Sequence, residues 1–224
     1  MVALFAVNMF TSKSFLFSPE PIYQVEGRGP VVFLTFDVLW QKAHLGDILK
    51  YLEEQDIEAV FFVTGEWLKK NHEEAQQIIA CGHQLGNHTY SHSKLLLMTT
   101  EEITNEIVKF NELSCKLLGY HPLFFRPPYG DYNNKIVRIA KEQDLFTLLW
   151  SINAKTFSER ETGLIISHLE ECLHDGAILL CHTFSPTILQ VLPEIVNIIT
   201  WKGYKLEGPS VLKEYAGRKR FRQP

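Results

Sequence analysis

Apolar runs and helix-like patterns alternate about seven times along these 224 residues, with no change of composition between them. That alternation leaves few architectures open. A strand that is apolar throughout must be covered on both faces, which parallel sheets achieve through crossover helices. The pattern therefore predicts an α/β fold, most simply a (β/α) barrel of seven or eight units in one domain. PIYQV (21–25), VVFLTF (31–36), EAVFFV (58–63), HQLGNH, LFFR (123–126), LFTLLW (145–150), AILLCH (177–182) and Tyr204–Leu206 read as strands. Between them lie expected helices: one with Ile48, Leu49 and Leu52 on a single face, and one over 72–81 that ends at Gly82. A long helix is capped by Thr99 or Thr100 and closed by Gly119, with Glu101, Glu102 and Glu106 near its positive end. Further helices are expected near 132–143, 162–173, 187–202 and 210–215.

Composition narrows the function. Hydrophobic residues make up 46% of the chain, enough for a large core. A net charge of -4 lacks the basic stripe of a nucleic-acid binder, so no nucleic-acid partner is expected. No Gly-rich phosphate loop follows the first strand, which counts against dinucleotide binding. Cys81, Cys115, Cys172 and Cys181 show no C-x-x-C spacing and read as buried small hydrophobes. The expected organisation is an N-terminal segment (1–21), a barrel domain (22–215) and a basic tail (216–224). The apolar MVALFAVNMF is too short to span a bilayer, and reads as the stub of a trimmed signal or anchor, or as an arm packed on the domain. The tail, with Arg218, Lys219, Arg220 and Arg222, reads as solvated and frayed; its alternative is attraction to an anionic polymer or membrane surface.

The chemistry-bearing residues share one kind of position. Asp37, His88, Arg126, Trp150 and His182 each stand at or just past the carboxyl end of a predicted strand. In a barrel those ends meet at one rim, where active sites are built. GNHTYSH sets His88 and His92 four positions apart, so on a helix both imidazoles would share a face and could hold one divalent metal ion. Asp37, flanked by LTF and VLW, needs a partner if buried, and Arg126 can supply one. His182 reads as an acid–base group or as a satisfied core histidine beside Cys181. His44, His72, His83, His121, His168 and His174 read as structural or surface residues.

These same stretches carry a resemblance. LTFD resembles the Thr-Phe-Asp-Asp motif, and GHQLGNHTYSH, FRPPYG and ILLCH the later motifs, of the polysaccharide deacetylases of the NodB-homology class, carbohydrate esterase family 4. The likeness runs over about residues 22–215, and FDVLW with WSINAKTF looks most like the subgroup tied to sporulation and wall maturation. It implies a distorted (β/α) barrel that hydrolyses N-acetyl groups from N-acetylglucosamine or N-acetylmuramic acid units of peptidoglycan- or chitin-like glycans. It also implies a divalent metal, zinc first, with cobalt and manganese as alternatives. A monomer is expected, extracytoplasmic or at the cell surface, secreted or anchored, and associated with the wall or membrane surface. Carried over by motif, His88 and His92 would be metal ligands and Asp37 the general base on the attacking water. Arg126 would hold Asp37 ionised, the backbone N–H of Tyr129 would help bind the oxyanion, and His182 would protonate the leaving amine. Tyr129, Trp150 and Phe157 would floor the cleft under a sugar ring or acetyl methyl, although packing alone also explains them. The scheme is coherent, because a metal acidifies water and an amine leaves only when protonated.

Three positions depart from the family pattern. Val38 stands where the second Asp, the third metal ligand, would be, and a valine cannot bind a cation. Asn153, Thr156 and Phe157 replace the acidic and aromatic residues of the fourth motif, and Thr183 follows His182 where Asp is usual. If the rim keeps the family geometry, the Cβ of residue 38 points toward the metal position. Two functions then follow. One is a metal-dependent amidohydrolase, its metal weakly held or absent and its activity impaired by Val38 and Asn153. The other is a non-catalytic glycan-binding relative.

Overall fold

Strand β1 (Val31–Val38) is buried at every position and organises the sheet around itself. The computed structural model describes residues 20–39, 44–154 and 159–221. The expected N-terminal segment, apart from Glu20 and Pro21, lies outside those residues, as do Phe157 and Thr156. Along β1 the side chains alternate between two clusters, as strand geometry requires. Val32, Leu34, Phe36 and Val38 join an outer core under the helices, whereas Val31 and Phe33 join an inner one. Thr35 and Asp37 share the parity of the inner set.

The parallel neighbours follow from the apolar runs. β2 (Val60–Val63) lies on one side of β1, from Thr35 opposite Val60 to Val38 opposite Val63. β7 (Ala177–His182) lies on the other, from Val32 opposite Ala177 to Asp37 opposite His182. β3 (Gln84–Asn87), β4 (Phe124–Phe125) and β5 (Phe146–Thr147) extend the β2 side, and β6 (Ile152–Asn153) extends the β7 side. β8 (Lys205–Leu206) pairs with the start of β1. The result is a distorted, partly open (β/α) barrel with the order β5-β4-β3-β2-β1-β7-β6. Residues 21–25, read from sequence as a strand, form two isolated bridges instead, Ile22 with Leu148 and Gln24 with Ala177. They span the seam between the two ends of the sheet, where no neighbour offers a continuous edge.

Helices cover the outer face: α1 (Leu45–Glu54), α2 (Gly65–Lys70), α3 (His72–Ala80), α4 (Thr100–Leu118), α5 (Asn134–Glu142), α6 (Glu159–Cys172) and α7 (Ile188–Trp201). Phe61 and Phe62 of β2 point to opposite clusters, and full burial of such a side chain is worth roughly 1.5–3 kcal/mol. Burial on both faces is thus why a continuous apolar run is stable as a strand here. Thr99 caps α4 in a reciprocal box with Glu102, and Gly119 ends it at φ 61. α2 was not expected, being a single six-residue turn whose only local sign is Thr64, which accepts from the Trp67 N–H. α8 (Pro209–Phe221) runs past the boundary read at 215, because Leu212 and Ala216 are buried in the inner cluster. Three of the four cysteines depart from the buried reading. Cys81, Cys115 and Cys172 are exposed, at the end of α3 or on outer helix surfaces, and only Cys181 is buried.

Val38 corrects an expectation as well. Its side chain is fully buried in the outer cluster with Phe36, Val63 and Leu45, on the face of β1 opposite to Asp37. Strict alternation up to the strand's last residue turns its Cβ away from the rim.

Candidate active site

Asp37 sits at the carboxyl end of β1, 5% exposed, above the apolar inner cluster. A carboxylate buried there needs compensation. Arg126, fully buried just past β4, donates from one terminal nitrogen to Asp37 Oδ1 at 2.8 Å. Its other nitrogens donate to Thr35 Oγ1 at 2.9 Å and to the carbonyls of Leu148 and Leu149 at 3.1 Å. The guanidinium is therefore not a two-pronged clamp on the carboxylate but a hub joining β1 to the segment after β5. It lies 4.1 Å from the ring centre of Phe62 and 5.4 Å from that of Trp150. Sequence reasoning missed Thr35 and Phe62 as parts of this site. Period-2 alternation could have found Thr35, two residues before Asp37 on the same face.

The second oxygen of Asp37 faces two imidazoles. His88 Nε2 lies 3.5 Å from Asp37 Oδ2 and His182 Nε2 lies 4.0 Å from it. His182 ends β7, directly opposite Asp37 in the sheet register. His88 follows β3, and its Nδ1–H donates to the Arg126 carbonyl at 2.7 Å. That bond fixes the tautomer and leaves the Nε2 lone pair facing the site, the arrangement a metal-ligating histidine needs. His92 stacks edge-on at 4.9 Å between ring centres from His88, and Tyr129 edge-on at 4.8 Å from His92. The pair does not ride on a helix, as its spacing suggested. Residues 88–92 form a loop in which Thr89 and His92 adopt left-handed backbone at φ 65 and 59.

Charge balance follows from these contacts. Burial opposes ionisation of Asp37, but the facing imidazoles, once acid protonates them, and the Arg126 guanidinium at every pH outweigh it and hold the carboxyl below its ordinary value. Burial keeps His88 below its ordinary value too, against the pull of Asp37. Burial and neighbouring His88 push His92 down to about 4. Near neutral pH both are neutral, so Arg126 is the permanent cation beside Asp37.

Among the described residues no three His, Cys, Asp or Glu side chains come together as a ready-made metal site. The donors that fit a divalent cation are the His88 and His92 imidazoles, with the free oxygen of Asp37 beside them. Zinc prefers four ligands, so this set suits weak rather than tight binding. Of the predicted floor, Trp150 is half-buried against Arg126, and Tyr129 is 55% exposed at the mouth with a left-handed φ of 63. Gly130 gives Trp150 its room, since a Cβ there would stand 2.6 Å from the indole. Asn153 is exposed at the end of β6. The Thr183 hydroxyl is fully buried and finds no hydrogen-bond partner among the described residues.

Comparison with known proteins follows the same residues. The family model for polysaccharide deacetylase matches residues 24–147. The chain is 31% identical to a peptidoglycan-N-acetylglucosamine deacetylase of Bacillus cereus, over 77% of this chain and 64% of that protein. It is 30% identical to an uncharacterized Bacillus subtilis protein, YlxY, over 84% of this chain and 59% of that one. It thus spans less than two thirds of either relative's length. Among solved structures, a CE4 family pseudoenzyme from Bacillus anthracis superposes with a TM-score of 0.82 at 28% identity, covering 88% of this chain and 69% of that one. A mutant of that pseudoenzyme, described as having restored enzymatic activity, superposes equally well over 72% of its length.

Proposed function

The chain belongs to the polysaccharide deacetylase family, and on that footing we propose that it hydrolyses N-acetyl groups from N-acetylglucosamine or N-acetylmuramic acid units of peptidoglycan. One observation carries the reading. A buried carboxylate, held by a buried arginine through one oxygen, presents its other oxygen to two imidazoles at 3.5 and 4.0 Å. A surface built only to bind sugar has no use for such a group.

In this reading Asp37 takes the proton of the attacking water, Arg126 keeps Asp37 ionised and oriented, and His182 passes a proton to the leaving amine nitrogen. A carboxylate held below its ordinary pKa is a weak base, so it needs a water that is already acidic. A divalent cation on His88 and His92 would supply that acidity and polarise the amide carbonyl. Tyr129 and Trp150 offer aromatic faces to a sugar ring at the mouth. Relatives named as peptidoglycan deacetylases support this polymer over chitin, and we propose with it a place outside the cytoplasm, at the wall. The motif forms FDVLW and WSINAKTF support a place in sporulation or wall maturation. Among the described residues no helix is long and apolar enough to cross a membrane.

A second reading, a glycan-binding relative without turnover, is favoured by one observation: Val38 packs in the outer core and gives the site no third ligand. The solved pseudoenzyme of the same fold supports it too. Acetate release from N-acetylglucosamine oligomers and muropeptides, with added zinc or cobalt, separates the two. Release that His88→Ala and Asp37→Asn abolish supports the deacetylase; tight oligomer binding without release supports the binder. Val38→Asp tests the third-ligand position separately. Buried among Phe36, Val63 and Leu45, the new carboxylate should lower the melting temperature in chelator. Because the side chain faces the outer core and not the rim, zinc should restore no more stability to the variant than it adds to the parent. A larger rise in zinc than the parent shows would instead put residue 38 within reach of the cation.

A further inference from the structure

The histidine loop is fastened from both sides, and one of the fasteners lies outside every motif. On one side the first N–H groups of α2 hold its carbonyls: Gly65 donates to Thr89 and Glu66 to Tyr90, each at 2.9 Å. The Tyr90 ring packs on Gly65, where a Cβ would stand 2.3 Å from it. On the other side Glu106, from the second turn of α4, turns inward and is 8% exposed. Its Oε2 accepts from the Tyr90 N–H at 3.1 Å and the Ser91 N–H at 2.8 Å, and its Oε1 accepts from the Ser91 hydroxyl at 2.9 Å. Glu106 is thus not a dipole-compensating surface residue, as its place near the start of α4 suggested. Asn87 completes the cradle, accepting from the Thr89 N–H at 2.8 Å and donating to the Ile107 carbonyl at 3.0 Å.

The loop needs such holding. Thr89 and His92 both sit in left-handed backbone, which non-glycine residues adopt only at a cost in strain. Strained backbone persists only where surrounding bonds over-determine it. A carboxylate accepting two N–H groups and a hydroxyl is a strong way to do so, because charge-assisted bonds are roughly twice as strong as neutral ones.

We propose that Glu106 is a positioning residue for the histidine pair. By binding the backbone of residues 90 and 91 it holds the turn that sets His92 against His88. This rests on the deacetylase reading for its catalytic consequence, but not for its structural one.

The experiment compares Glu106→Ala, Glu106→Gln and Ser91→Ala with the parent by two readouts. The first is the histidine side-chain nitrogen–proton NMR spectrum with amide exchange, which needs no activity. Glu106→Ala should move the His88 and His92 signals and speed exchange at Tyr90 and Ser91 by roughly 100-fold or more, while His83 and its neighbourhood stay as in the parent. Glu106→Gln, which keeps an acceptor for the two N–H groups, should lie between. Ser91→Ala, which removes the hydroxyl contact to Glu106 together with the one to Ser93 Oγ and leaves the two N–H bonds, covers the case in which Glu106→Ala does not fold, and should shift the same two histidines by less. The second readout is acetate release. There kcat should fall by about 10-fold or more in Glu106→Ala with KM little changed, since the sugar-facing Tyr129 and Trp150 lie elsewhere. Unmoved His88 and His92 signals, or equal disturbance of His83, would overturn the positioning role. A parent that releases no acetate would instead remove the deacetylase reading and leave the NMR comparison to decide Glu106.

Discussion

Arg126 shows how much one side chain can do in a fully buried position. Four donated bonds reach the Asp37 carboxylate, the Thr35 hydroxyl and two carbonyls past β5. From sequence it was legible as the partner of Asp37, because a buried carboxylate calls for a cation and FRPPYG follows a strand. Its other contacts were not legible, since they depend on where the chain near 148–149 crosses it. That changes the expected outcome of a conservative substitution. From sequence, Arg126→Lys folds normally and loses activity. From the structure, it loses both. A lysine has three donors on one atom and no planar fork to span four acceptors, so at least one buried group loses its donor. We expect a loss of about 3 kcal/mol in urea unfolding and a fall in acetate release on the order of 100-fold. Parent-like stability would show that the Leu148 and Leu149 carbonyls find other partners.

At the scale of elements, the long apolar strands and helices were legible and the short ones were not. β1, β2, β7, α4 and α7 announce themselves by runs, periodicity and caps. β6, α2 and the seam at 21–25 are too short to carry a period, and their conformations come from neighbours far along the chain. The site shows the same division. Strand ends placed Asp37, His88, Arg126 and His182, and period-2 alternation could have turned Val38 outward, whereas the loop form of 88–92 depends on its contacts with α2 and Glu106. The close approach of β3 to β2 supplies a test. Gly86 faces the Phe62 ring, and a Cβ there would lie 2.4 Å from it. Phe62 in turn shelves the Arg126 guanidinium and lies edge-on to His88. Gly86→Ala should cost roughly 1–3 kcal/mol through overpacking and reduce acetate release by disturbing Arg126. A variant that keeps activity but not stability would show that the ring moves without the guanidinium.

For the molecule as a whole, burial of His83 ties stability to pH on the acid side. His83, 3% exposed beneath the sheet, accepts from the Ala59 N–H through Nδ1 at 3.2 Å. Burial lowers its pKa from 6.5 to about 4. Below 6.5 the unfolded chain takes up the proton first, so stability is full above that pH and declines down to about 4. One such group contributes on the order of 2–3 kcal/mol across that window. His83→Asn keeps an acceptor near the Nδ1 position without the titration. Urea unfolding at about pH 7 and about pH 4.5 should then show a shallower acid loss in the variant; equal slopes would assign the decline to other groups. The bridges of Ile22 and Gln24 have a consequence of another kind, one of timing. Both reach partners late in the chain, Leu148 and Ala177, and β1 itself completes its second edge only on β7. During synthesis the first strand must therefore wait, half-paired, until most of the chain has left the ribosome. Pairings so distant in sequence are slow to form, and for that interval the unpaired edge of β1 is open to mispairing with other chains.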